Sequence, residues 1–202
     1  MHVTVLGASG RAGSEITREL ASRGHTVTAI ARKPDTIPTG EGVTQVAGDA
    51  SDAPALAALI KGSDAVISAL HFDVPAATLL SALKTAGVPR LLVTGGAASL
   101  EVAPGVRLID TPDFPEEWKV FAQGGIAFLD DLKAETEIDW TFFSPAAVIE
   151  ETPRRGTFRT GTDQLIVDDK GESRIGFSDY AIAMVDELER PKHSRARFTA
   201  AY

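Results

Sequence analysis

The stretch Gly7-Ala8-Ser9-Gly10-Arg11-Ala12-Gly13 holds the residue types best suited to cradle a phosphate. Glycines at three-residue intervals let a backbone turn tightly and approach an anion closely, and the third lets a helix pack against the preceding strand. A helix opening at the end of such a loop adds free N–H donors and a dipole that favours negative charge. The spacing G-x-x-G-x-x-G departs from G-x-G-x-x-G but serves the same task. The loop follows Val3-Thr4-Val5-Leu6 directly and opens a segment in which Ile16 and Leu20 share one helical face. Strand, loop and helix together are the context in which this motif signals dinucleotide binding, with Ser9, Arg11 and Ala12 between the glycines as phosphate contacts.

The choice of dinucleotide falls to the end of the second strand. An acid there accepts from the ribose 2′-hydroxyl of NAD; this chain instead has Ala31-Arg32-Lys33, with Arg11 already in the loop. Cations without a carboxylate match a 2′-phosphate, so NADP(H) is expected over NAD(H). Asp49, with Ala50 beside it, could accept from the adenine amino group; equally, Asp49 could cap the next helix, a role for which Asp52 competes. Ligands of such folds lie beyond the carboxyl ends of the strands. Ser68-Ala69-Leu70, Thr94-Gly95-Gly96 and Ser144-Pro145-Ala146 therefore belong to the same crevice.

Beyond the cofactor loop, His71 follows the fourth strand at the crevice rim, where it could donate to a substrate or be an ordinary loop residue. His2, His25 and His193 are scattered, cysteine is absent, and no metal-ligand spacing exists, so no metal is expected. Ser9 lacks the Gly-x-Ser-x-Gly frame of a nucleophile elbow. Lys119 reads as a solvated helix lysine or a substrate contact. Arg154, Arg155 and Arg159 read as an exposed hairpin or a flavin-phosphate site. Among aromatics that could stack on a flavin ring, Trp118 and Phe114 are the freer, whereas Phe121 and Trp140 read as core.

Short apolar strands alternating with amphipathic helices must position these groups, the pattern of a parallel sheet covered on both faces. Strands are expected at Val3–Leu6, Thr26–Ala31, Val43–Ala47, Asp64–Leu70, Arg90–Thr94 and Asp139–Phe143. The helices between them are punctuated by Gly24, Gly62 and Gly87, with Asp52 and Asp73 as caps ahead of Pro54 and Pro75. The stretch from Gly95 to Pro115 reads as a long functional loop. The helix after it is expected to break at Gly124-Gly125. After Ser144 the composition turns to Gly, Arg, Thr and Asp. Short irregular strands, a last helix capped by Ser178 or Asp179, and a possible edge strand at Arg197–Ala201 are expected. The reading is an α/β Rossmann-type fold in one domain over 1–202, with 144–202 as a small substrate-side extension.

The chain has 202 residues, 44% hydrophobic and 24% charged, an ordinary globular composition. Its net charge of −8 disfavours direct binding to nucleic acid or anionic lipid. No apolar run reaches the length of a membrane span, and the N-terminus does not read as a signal peptide. The lack of cysteine suits a cytoplasmic location.

The glycine loop, Ala31-Arg32-Lys33-Pro34, Gly48-Asp49, Leu92-Val93-Thr94-Gly95-Gly96-Ala97 and Asp110-Thr111-Pro112-Asp113-Phe114-Pro115 resemble one known family. So do Asp139-Trp140-Thr141-Phe142-Phe143-Ser144-Pro145-Ala146 and Gly171-Glu172-Ser173-Arg174-Ile175. The resemblance is to the atypical, NAD(P)H-binding branch of the short-chain dehydrogenase/reductase superfamily, which includes NmrA-like, NADH-flavin-reductase-like and biliverdin/flavin reductase proteins. It implies a nicotinamide near Thr94–Ala97 and Ser144–Ala146, with the Gly95–Pro115 segment bordering the substrate. Where flavin and biliverdin reductases carry a serine after the fifth strand, this chain has Gly96, with Ser99 close by. The superfamily's Tyr-x-x-x-Lys pair is missing: neither Tyr180 nor Tyr202 has a lysine four residues on. Alcohol–ketone or epimerase chemistry therefore lacks its proton donor. A flavin (FMN or FAD as substrate) or quinone acceptor needs chiefly to be held face to face with the cofactor. The expected function is NADPH-dependent reduction of such an acceptor, with His71 and Ser99 as candidate catalytic groups and a homodimer as a possible assembly. The alternative is an NmrA-like, non-enzymatic sensor of nucleotide redox state acting through a protein partner.

Overall fold

The structure, a computed structural model, describes residues 1–202. The β-branched N-terminal run forms β1 (His2–Leu6), and the glycine loop leads into α1 (Arg11–Ser22). There follow β2 (Thr26–Ala31), β3 (Val43–Ala47), α2 (Ala53–Ile60), β4 (Ala65–Ser68), α3 (Ala76–Ala86) and β5 (Arg90–Thr94). A small hairpin of β6 (Glu101–Ala103) and β7 (Val106–Arg107) precedes α4 (Lys119–Lys133) and β8 (Asp139–Ser144). The C-terminal part adds β9 (Val148–Glu150), β10 (Arg159–Gly161), β11 (Arg174–Gly176), α5 (Phe177–Glu189) and β12 (Ala196–Ala201).

Eight strands form one sheet in the order β10-β12-β8-β5-β4-β1-β2-β3. Every neighbouring pair is parallel except β10 with β12. This is a three-layer Rossmann-like fold. Side chains alternate across each strand, so a sheet covered on both sides must be apolar on both. Val3, Val5 and Ile67 pack with Ile16 and Leu20 of α1 and Tyr180 and Met184 of α5. Leu6, Val66 and Phe142 pack on the other side with α2, α3 and α4 through Leu56, Leu79, Leu83, Phe128 and Leu129. No helix is long and apolar enough to cross a membrane.

Several local expectations need correction. The Gly95–Pro115 stretch is not a plain loop: it holds the β6–β7 hairpin and a 3-10 turn at Leu108–Asp110. α4 runs unbroken through Gly124-Gly125, because the missing side chains admit the Phe72 ring; a Cβ on Gly125 would lie 2.8 Å from it. Asp52 caps α2 by accepting from the Ala55 N–H at 3.0 Å, but Asp73 does not cap α3, whose N-cap is Pro75 with no side-chain bond. β12 is not an edge strand; it lies between β8 and β10. Gly176, not Ser178 or Asp179, is the N-cap of α5. Asp179 is instead fully buried and accepts from the Arg155 and Gly156 N–H groups and the Tyr202 hydroxyl.

Candidate functional site

Strand order turns around β1: β2 and β3 extend the sheet on one side, β4 and β5 on the other. A crevice therefore opens at the carboxyl ends of β1 and β4, where the crossovers diverge to opposite faces. Gly7 ends β1 with a left-handed φ of 74°, and a Cβ there would sit 2.6 Å from the Ala69 carbonyl oxygen after β4. The N–H groups of Gly7 and Ala8 both donate to the Ile30 carbonyl, tying the loop to β2. Gly13 lets α1 press onto the loop: a Cβ there would lie 2.2 Å from the Gly7 carbonyl oxygen. No side chain caps α1 and no acid stands in its first turn, so its N-terminal donors face the crevice unopposed. Ser9, Gly10 and Arg11 are exposed, Ala12 half-buried. The Arg11 guanidinium rests 5.0 Å over the Phe177 ring, which holds it beside the loop. These features fit a pyrophosphate.

Past β2, Arg32 and Lys33 are exposed on one side of the mouth. Past β3, Asp49 accepts from the Ser51 N–H at 2.9 Å and the Ser51 hydroxyl at 2.8 Å. Those bonds hold its carboxyl below the usual range, with a smaller pull from the Arg32 charge. Asp49 thus shapes the loop next to Arg32 and is not the α2 cap; Ala50 is buried. After β4, Ser68 is buried while Ala69 and Leu70 are half-buried. After β5, Thr94, Gly95 and Gly96 are half-buried, and a Cβ on Gly95 would strike the Phe142 ring at 2.3 Å. After β8, Ser144 and Ala146 are buried and Pro145 is half-buried. The structure brings all of these ends to one edge of the sheet.

His71 is exposed at the rim. The Ser99 hydroxyl accepts from Arg197 at 2.8 Å, and Arg197 also binds Asp163, which ties the segment after β5 to β12. Lys119 pairs with Glu116 at 2.6 Å. The arginines after β8 do not converge on a ligand: Arg154 binds Glu19, Arg155 stacks 3.6 Å over Tyr202, and Arg159 donates to the Val167 carbonyl. Trp140 is in the core as expected, but Phe121 is 72% exposed and Trp118 57%. Phe72, which motif reading passed over, packs between Phe128 and Phe142 and reaches Gly96. Its signal was the glycine pair of α4, which reads in sequence as a helix break. Arg197 carried no local signal, since its partner Ser99 lies 98 residues away.

Both tyrosine hydroxyls are committed to partners within the protein. Tyr180 is 1% exposed and donates to the Phe143 carbonyl at 2.7 Å; burial pushes its phenol well above the ordinary range. Tyr202 donates to Asp179 at 2.6 Å. A cleft of about 990 Å³ lies elsewhere, between the segment after β7 and the outer face of α4.

A parallel sheet with a glycine-lined crevice at its switch point and an uncapped helix above it defines a dinucleotide-binding Rossmann protein. The chain belongs to the NAD(P)H-binding family, which it matches over residues 7–191. It is 43% identical to the uncharacterised protein YwnB of Bacillus subtilis, over 98% of this chain and 97% of that one. Among solved structures, it resembles a candidate exported protein of Burkholderia pseudomallei (42% identity, all of both chains, TM-score 0.91). It also resembles a candidate epimerase of Bacteroides thetaiotaomicron (42%, 100% of this chain and 96% of that one, TM-score 0.93). A third is a candidate NADH-flavin reductase of Streptococcus pneumoniae (33%, 100% and 99%, TM-score 0.88).

Proposed function

We propose that this protein is an NADPH-dependent reductase that passes hydride to a flavin- or quinone-like acceptor. The observation that carries the reading is a dinucleotide cradle in a chain whose two tyrosine hydroxyls are both held by partners within the protein. When bound, the nicotinamide supplies hydride, and the chain's own residues bind, orient and exclude water. Gly7, Gly10 and Gly13 give the backbone room at the pyrophosphate, and Ser9, Arg11 and the α1 N-terminus hold its charge. Arg32 and Lys33 meet the 2′-phosphate, and Asp49 stands near the adenine. Thr94, Gly95, Gly96 and Pro145 frame the nicotinamide. A reduced flavin or quinone collects its proton from water, so His71 and Ser99 are accessory, and replacing either by alanine leaves turnover.

The site of action is the cytoplasm, where NADPH is regenerated. The test is NADPH oxidation against FMN, FAD, riboflavin and small quinones, with NADH in parallel. Saturable turnover with one acceptor class supports the reading. Tight NADPH binding without turnover on any acceptor overturns it in favour of a redox sensor acting through a protein partner, a class the missing Tyr-x-x-x-Lys pair also fits.

A further inference from the structure

α4 ends just before β8, which begins at the amino edge of the sheet, so the N-terminus of α4 stands at the carboxyl edge, above the crevice. Its buried stripe is Gly125, Phe128, Leu129 and Leu132. Stepping back one helical turn continues that stripe to Phe121, and Trp118 precedes the helix as its N-cap, at the end of a 3-10 turn over Glu116–Trp118. Phe121 therefore has the spacing of the core-facing side of the helix and Trp118 stands at its entrance, yet they are 72% and 57% exposed. One turn on, at Gly125, the stripe meets Phe72, which adjoins Gly96. Val120, also exposed, lies on the opposite face of α4.

Resting on the reductase reading, we infer that Trp118 and Phe121 form an aromatic platform that stacks the acceptor's planar ring over the nicotinamide end of the crevice. The platform begins one helical turn from Gly125, which meets Phe72 beside Gly96, so it stands on the side of the crevice from which the acceptor receives hydride. Glu116 and Glu117 share the 3-10 turn with Trp118, Asp113 and Glu116 line the cleft on the neighbouring face of α4, and the nearby cation Lys119 is neutralised by Glu116. An acidic rim repels a phosphate, so the acceptor class that fits is an uncharged planar ring, such as riboflavin or a simple quinone, rather than a flavin mononucleotide.

The experiment compares wild type with Trp118→Ala, Phe121→Ala and the pair, using riboflavin and FMN as acceptors at low salt. Both residues are exposed, so the variants keep the far-ultraviolet dichroism of the parent. The expected result is a KM for riboflavin raised about tenfold by the double variant, with the Kd for NADPH within about twofold of wild type. Riboflavin is also expected to exceed FMN in kcat/KM, by a margin that shrinks with added salt. Turnover with an unchanged acceptor KM in the variants overturns the platform and leaves the reductase reading intact. A preference for FMN overturns the uncharged-ring assignment. If no acceptor is turned over, the reductase reading fails on its own. The platform is then judged by riboflavin quenching of Trp118 emission in the presence of NADP, with Trp118→Phe as the blank; no quenching overturns it as well. Dissociation of a dimer by the double variant, with acceptor KM unmoved, assigns the face to a second copy of the chain and overturns the platform.

Discussion

Tyr180 and Phe143 lie ring against ring, their centroids 4.0 Å apart and their planes 6° from parallel. The same tyrosine donates its hydroxyl to the Phe143 carbonyl at 2.7 Å. Phe198 also stacks on Phe143, with centroids 4.1 Å apart. Tyr180 is thereby committed to holding α5 against β8 rather than to chemistry. The prediction is that Tyr180→Phe keeps NADPH-dependent turnover within about twofold, because no proton leaves this hydroxyl. Its cost is to stability, and it is modest because the Gly95 N–H still satisfies the Phe143 carbonyl. A loss of about 1 kcal/mol is expected, lowering Tm by about 2–4 °C. Abolished turnover in a folded variant would show that the phenol does reach the acceptor.

Gly13 tests the cradle. The first turn of α1 touches the loop so closely that alanine cannot fit without moving the Gly7 carbonyl. Gly13→Ala is expected to lower stability by about 1–3 kcal/mol, the usual cost of overpacking a rigid contact. Displacing the loop should also weaken NADPH binding by at least about a hundredfold, since pyrophosphate contacts depend on where these backbone donors point. Calorimetric titration at a temperature where the variant remains folded separates the two effects.

On the proposed reading, the exposed Arg32 and Lys33 after β2 are the groups that meet the 2′-phosphate. A charge-assisted bond contributes roughly 1.5–3 kcal/mol, so Arg32→Ala should raise the Kd for NADPH about 10- to 100-fold while leaving that for NADH nearly unchanged. Lys33→Ala should act in the same direction with a smaller effect, and both should reduce the salt sensitivity of NADPH binding. An equal loss for the two nucleotides would place the 2′-phosphate elsewhere.

Glu135 gives a pH signature far from the crevice. Burial raises its carboxyl, but the Glu137 N–H, the Lys84 ammonium and the Ile138 N–H outweigh that and bring it down to about 2. A carboxyl depressed by folding contributes stability that is present above its unfolded value of 4.5 and is lost as pH falls through about 2. Glu135→Gln should therefore destabilise the protein at pH 7 by on the order of 1 kcal/mol. The gap between variant and parent should narrow below pH 4.5 and shrink by about half at pH 3. Urea midpoints at the two pH values measure this; a gap of constant size would show that the turn is held by packing alone.

What could be read in the chain itself was whatever depends on neighbours in sequence. β2, β3 and β5 were legible to the residue, because strand period and the glycine, proline and aspartate punctuation around them are local properties. The glycine turn between β1 and α1 was legible because its strand, its turn and its helix lie within a few residues of one another. Asp52 was recognisable as a cap for the same reason, since its partner is three residues away.

Tertiary structure decided the rest, wherever the partner was distant. Asp179 looked like a helix cap until the fold brought the Arg155 and Gly156 backbone and the Tyr202 hydroxyl to its carboxylate. Gly124-Gly125 looked like a break because only the fold places Phe72 against that face of α4. Phe121 has the spacing of a core residue, yet it is 72% exposed. Helical and strand periods state which way a side chain points, whereas strand order and element length determine whether anything lies there to meet it.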